Sequence, residues 1–291
     1  MRSFCEYHPI AVAVYFLAAS GIAMLCMNPI LLSLSLLGAV LLFVLQSVGE
    51  RPSHFGYLAL FLLMVLINPL VSHNGVTVLF VLNDSPITAE AVLYGLVAAG
   101  MITAVLYWFR SFGRIMTSDK LLYLFGKLSP RLSLVLSMGL RYVPLFQQQV
   151  VKVNSTQRAM GLYKEDNIVD RFRGGLRVFS VMITWALENG IVTADSMAAR
   201  GYGIGRRTHF SKFRFTTSDW LLLLASLGLG GAVCVCIALG EMEFVCYPSV
   251  YLAPLSPLAV IGYCAYGTLA LMPSVIEIWG RVKWKYLRSK I

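Results

Sequence analysis

Hydrophobic residues along this chain mostly run on instead of alternating with polar ones. Six stretches stay apolar for close to the roughly 20 residues a helix needs to cross the hydrocarbon of a bilayer: 10–27, 30–46, 55–72, 88–109, 219–239 and 250–271. The third is the weakest, because Asn68-Pro69 near its end lacks a backbone donor and should tilt or break it. The pattern predicts an all-α polytopic membrane protein, with four spans in 1–112, two in 218–272 and a basic tail over 273–291. The intervening 113–217 is too long for a loop without structure of its own and is expected to be a cytoplasmic domain.

Two helical stretches dominate that domain. One opens at Ser129-Pro130, where proline suits the first turn, and runs to Gly161 with a bend expected at Pro144. The other runs from about Gly175 to Gly201. They end alike, in Ala159-Met160-Gly161 and Ala199-Arg200-Gly201, which has the look of a weak internal duplication. The second is too apolar for a helix in water: Val178, Phe179, Val181, Met182, Ile183, Trp185, Ala186 and Leu187 leave little polar face. Such a helix is covered by something, whether the bundle, the membrane or a partner protein.

Composition agrees with the membrane reading. Charged residues make up 13% of the chain against about 25% in soluble domains, and mean hydropathy is +0.73. The net charge of +10 matters through its placement. Arg2, Arg51, seventeen cations over 110–214 and five over 281–290 account for all 24 lysines and arginines. The opposite loops, 73–87 and 240–249, hold none and carry Asp84, Glu241 and Glu243. Cations mark the cytoplasmic side, so both termini are expected there. The first apolar run has no basic region and cleavage site before it and is expected to stay as a span.

Six cysteines suggest no disulfide framework: Cys26, Cys234, Cys236 and Cys264 lie in or beside spans, with Cys5 inside and Cys246 outside. Cys234 and Cys236 point about 200° apart on a helix and cannot share a metal. His8, His54, His73 and His209 fall in separate segments, so no metal site is indicated. Glu188 and Asp195, seven apart on one face, could form a proton relay, or each be satisfied by a neighbouring amide. "GYGIGRR" has the glycines of a phosphate loop but closes a helix instead of opening one. Ala91, Gly95 and Ala99, and the Gly228, Gly230 and Gly231 group, suit close helix packing.

Arg200 has a local explanation, a cation in a last helical turn with Gly201 as the left-handed cap. That leaves open why two long apolar helices end in the same tip. A cation there, beside a glycine that permits close backbone approach, also suits an acidic or carbonyl-lined pocket on a second protein.

In combination "ADSMAARGYG", "RYVPL" and "TQRAMG" resemble the transmembrane T component of energy-coupling factor transporters, the EcfT/CbiQ family. "YHPI", "INPLVSHNGVTVLF" and "SPRLSLVLSMGLRYVPL" follow the same order, so the resemblance runs over nearly the whole chain. It implies a non-catalytic scaffold, without cofactor, metal or nucleic acid, in a prokaryotic plasma membrane. Two cytoplasmic ABC-type ATPases and a small substrate-binding S component would be its partners, in uptake of a vitamin, metal ion or related micronutrient. By the same resemblance Ala199, Arg200 and Gly201 would dock one ATPase, and Arg158, Ala159, Met160 and Gly161 the other. Val178, Val181, Met182 and Trp185 would carry the S component, the alternative being that they are internal core. One position departs from the pattern: Met160 stands where the family has arginine. Either Arg158 takes over the charge, or Met160 fills an apolar socket. A self-contained permease, or a membrane-embedded enzyme, is the alternative function. The first would show polar residues along its spans and the second a convergent nucleophile, acid-base pair or metal cluster.

Overall fold

A computed structural model describes residues 4–47, 54–72, 75–82, 85–162, 168–205, 213–247 and 249–288. The helix starts follow from the sequence. In α1 (Pro9–Leu25) and α2 (Pro29–Gln46) proline takes the first helical position, where its missing N–H is not needed. The preceding His8 and Asn28 accept the backbone N–H of Ile10 and Ile30, at 3.3 and 3.0 Å. Thr88 caps α4 (Ala89–Ile115) by accepting from Ala91. Thr216 and Asp219 form a capping box at α8 (Thr217–Ala238).

The protein is an all-α polytopic membrane protein. Four helices are long and apolar enough to cross a bilayer: α2, α4, α8 and α9 (Pro257–Arg288). Helices α1 and α3 (Phe55–Val71) are apolar but have 17 residues each, a rise of about 26 Å. The break expected at Asn68-Pro69 does not occur. Pro69 lies in the last turn of α3, and Asn68 Nδ2 donates to the Ala91 carbonyl at 2.8 Å, joining α3 to α4. The sixth apolar stretch starts later than its hydropathy suggests, because Tyr251–Leu252 (β4) pairs with Phe244–Val245 (β3) and Pro254 and Pro257 delay the helix. It also runs on to Arg288, so the basic segment after 272 is largely helical. A second hairpin, Val78–Leu82 (β1) with Ser85–Thr88 (β2), joins α3 to α4.

Two compact units result, Met1–Leu121 with Phe213–Ile291, and Leu122–Lys212. In the first, six helices alternate in direction, as their joined ends show. At one end His8 N–H donates to Asp219 (2.8 Å), Arg114 donates to Ser47 Oγ (2.7 Å), Arg281 donates to the Leu45 carbonyl, and Lys120 donates to the Cys5 carbonyl. Burial lowers the proton affinity of Lys120 and raises that of the Cys5 thiol, where the Glu277 carboxylate adds to the rise. At the other end Asn28 donates to Tyr263 Oη (2.7 Å) and to the Met242 carbonyl (3.2 Å). Every cation in these contacts belongs to the first end, and both hairpins to the other.

The core between them is aromatic. Trp108 packs edge-on against Tyr15 and Phe16 and donates to Ser35 Oγ at 3.0 Å. Tyr15 and Tyr266 donate to the carbonyls of Leu269 and Ala19. Of the small residues expected at helix contacts, Gly95 meets Asn68 and Gly230 meets Ala18, while nothing lies near Gly228 or Gly231. The closest approach of a helix glycine to another helix is one the sequence pattern did not single out: a Cβ on Gly38 would lie 2.7 Å from the Ala270 carbonyl oxygen.

The second unit holds the two expected helices, α6 (Pro130–Ala159) and α7 (Ile168–Ala199). Helix α6 continues through Pro144. Helix α7 begins seven residues before the expected Gly175, with Gly174 buried inside it on the stripe of Val178 and Met182. A short helix that hydropathy did not announce, α5 (Ser118–Leu128), precedes them, and the boundary between the units falls within it.

Candidate functional site

The two helix tips are copies of one structure. In α6 Met160 is the C-cap and Gly161 follows in the left-handed region at φ +69°. Gly161 N–H bonds to the Arg158 carbonyl (3.0 Å) and Leu162 N–H to that of Gln157 (3.2 Å). In α7 Arg200 is the cap position, Gly201 follows at φ +74°, Gly201 N–H bonds to Ala198 (3.0 Å) and Tyr202 N–H to Met197 (3.0 Å). Both are Schellman motifs, in which the residues after the helix satisfy its last carbonyls. Only a residue without Cβ enters this conformation freely, which explains both glycines.

The cap alone is not a signature of docking. Helix α8 stops in the same way at Leu239-Gly240, with Gly240 at φ +76°. The residues displayed at the three caps are Met160, Arg200 and Leu239, all exposed, and only Arg200 is charged. Met160 is 68% exposed. Arg200 is exposed and makes no ion pair among the described residues. Arg158, two positions before Met160, is equivalent to Ala198, so it leaves the helix on another side from the cap residue.

Helices α6 and α7 run antiparallel. Tyr142 meets Thr193, their hydroxyls 2.9 Å apart, and four residues further along α6 Phe146 packs edge-on against Trp185, eight residues earlier in α7. Beyond the end of α6, Arg177 donates to the Leu162 carbonyl at 3.0 Å. The tips therefore lie at opposite ends of one helix pair, on the order of 40 Å apart along the axes. Aromatic and hydrogen-bonded contact joins the two helices at their crossing.

The residues expected to carry a membrane partner divide between two faces of α7. Val178 and Met182, each 9% exposed, are buried, and Trp185 is half-buried against Phe146. Val181 and Ile183 are each 45% exposed but point about 200° apart round the helix, and only Ile183 shares a face with Phe179 and Leu187. That outward strip also contains Phe172, Leu176 and Ile191, at helical spacing with Phe179, Ile183 and Leu187. Sequence reading missed this extension because hydrophobicity all round the helix hides which side is covered.

Glu188 and Asp195 are exposed on α7, and neither meets the other. Among the described residues no group of three or more His, Cys, Asp or Glu could hold a metal ion. His73 and His209, and Arg206 and Arg207 of the glycine-rich stretch, lie outside the described residues.

No family model matches the chain. It is similar to proteins named energy-coupling factor transporter transmembrane protein EcfT from three bacteria. The Streptococcus thermophilus protein is 29% identical over 101 residues, 34% of this chain and 38% of that one. Those of Lacticaseibacillus paracasei and Exiguobacterium sibiricum are each 31% identical over 102 residues, 34% of this chain and 39% of theirs. The chain thus covers about two fifths of the length of the curated relatives it matches. The resemblance met in the motifs is borne out over about a third of the sequence.

Proposed function

We propose that this chain, a relative of the transmembrane T components of energy-coupling factor transporters, is the energy-coupling membrane subunit of an ATP-driven importer. It has no ATPase or substrate chemistry of its own. Its work is to link two cytoplasmic ABC-type ATPases to a small S component that binds a vitamin, metal ion or related micronutrient. The basic end of the bundle, with both termini, faces the cytoplasm of a prokaryotic cell, and the cation-free hairpins face outward.

The observation that carries this reading is the pair of matching tips at opposite ends of an antiparallel helix pair. Two tips pointing away from each other suit two separate docking grooves, one on each ATPase. Arg200 enters an acidic or carbonyl-lined groove, where a guanidinium makes several charge-assisted hydrogen bonds. Met160 makes an apolar contact that tolerates an irregular socket. The outward strip of Phe179, Ile183 and Leu187 takes the S component, and closure of the ATPases moves the helix pair beneath it.

Affinity purification of the full chain from its native membrane tests the proposal. Two ATPase subunits and a small membrane protein are expected to co-purify in fixed ratio. Recovery of the chain alone, with substrate transport by the chain alone after reconstitution, would overturn it.

A further inference from the structure

Helices α2, α8 and α9 leave between them a groove of about 720 Å³ that opens sideways from the bundle. Its walls include Leu34, Ala225, Leu229, Gly267, Leu271 and Val275. Gly267 makes the hollow by leaving the space beside Leu34, whose methyls would stand 3.8 Å from a Cβ there. The hydroxyls along it are already engaged: Thr268 Oγ1 donates to the Ala265 carbonyl at 2.8 Å, and Tyr263 Oη accepts from Asn28. Water in the groove would find too few partners to stay.

We infer that this groove binds one acyl chain of an anionic glycerophospholipid, with its phosphate held at Lys283. The inference rests on the membrane-spanning fold alone and is independent of the coupling role. Three observations favour this occupant. The walls belong to three membrane-spanning helices, so the medium that reaches the opening is lipid. The volume is too small for a partner helix, since a cylinder about 10 Å across would fill it in about two turns. The charge is also in place. Met272, Ile276, Trp279 and Lys283 recur at i, i+4, i+7 and i+11 along α9, so one stripe leads from the groove edge to a cation. Lys283 Nζ lies 5.8 Å from the centre of the exposed Trp279 ring. From Ile276 to Lys283 the helix rises about 10 Å. That puts a tryptophan and a lysine where the headgroup of a lipid whose chain lies in the groove would emerge.

The test uses the full chain in phosphatidylcholine nanodiscs that contain a small fraction of phosphatidylglycerol bearing a photoreactive group on its acyl chain. After irradiation, adducts are expected on 263–276 and around Leu34, well above those on the lipid-facing Leu221 and Leu224. The same acyl probe on phosphatidylcholine should label the groove about fivefold less, and Lys283→Gln should abolish that difference. Gly267→Phe should empty the groove of label. Should that variant misfold, Val275→Trp narrows the opening from an exposed position and should have the same effect. Uniform labelling of all lipid-facing surfaces without headgroup preference would overturn the inference. So would exclusion of the probe, in the native complex, by a partner polypeptide seated in the groove.

Discussion

Arg200 and Met160 hold the same place in two copies of one cap, so substitutions there compare chemistry at constant geometry. Arg200→Ala removes a cation from a helix C-terminus and should cost the fold only about 0.3 to 1 kcal/mol. Arg200→Glu should leave the protein inserted and folded, yet abolish ATP-driven uptake by placing a carboxylate against an acidic groove. At the first tip, Met160→Asp should weaken ATPase binding more than Arg158→Ala if the socket is apolar. Binding of the purified ATPases to each variant gives the order, and the reverse order assigns the contact to Arg158. The glycines at 161 and 201 were legible in the sequence because an alanine-x-glycine ending on a long apolar run predicts a left-handed cap. That the hydrogen bonds would match atom for atom was not, since Leu239-Gly240 makes the same cap from unlike residues.

Helix α7 shows what periodicity leaves hidden. An apolar residue at almost every position from 176 to 187 says that the helix is covered, but not on which side. Packing resolves this into a buried stripe through Gly174, Val178 and Met182 and an outward strip through Phe179, Ile183 and Leu187. Substitutions on the two faces should separate. Met182→Asn buries an amide without a partner and should destabilise the protein by about 1 to 3 kcal/mol, seen as earlier thermal unfolding in detergent. Phe179→Gln and Ile183→Asn should leave unfolding and ATPase binding unchanged and lose the S component on co-purification. Retention of the S component at the unmodified level across both would mean the strip is not its platform. The start of α7 was misjudged because Gly174-Gly175 signals a helix break, whereas a buried glycine inside a helix serves packing instead. Helix α5 escaped notice because eleven residues with charged ends carry too short an apolar repeat.

In the bundle as a whole, the six apolar runs were visible from hydropathy, and the lack of lysine and arginine in the 73–87 and 240–249 loops pointed to the alternation of direction. The contacts that fix the helices against each other were less visible, because they depend on which small residue faces which backbone. Gly38 is the clearest case. Gly38→Ala sets a methyl against the backbone of Ala270 and should cost about 1 to 3 kcal/mol. Gly228→Ala, on the same kind of helix with nothing within 4 Å, should be neutral or slightly stabilising. Thermal unfolding of the two variants side by side checks the helix packing without reference to function.

The most direct measurement of the coupling role is site-specific photo-cross-linking in native membranes, with the reactive group introduced at position 200, 160 or 239. All three positions are glycine-capped helix ends with an exposed residue at the cap, so geometry is held constant while location varies. Docking through the tips predicts adducts with an ATPase subunit from positions 200 and 160 and none from position 239, which lies at the hairpin end of the bundle. Absence of ATPase adducts at position 200, or equal labelling from position 239, would contradict it.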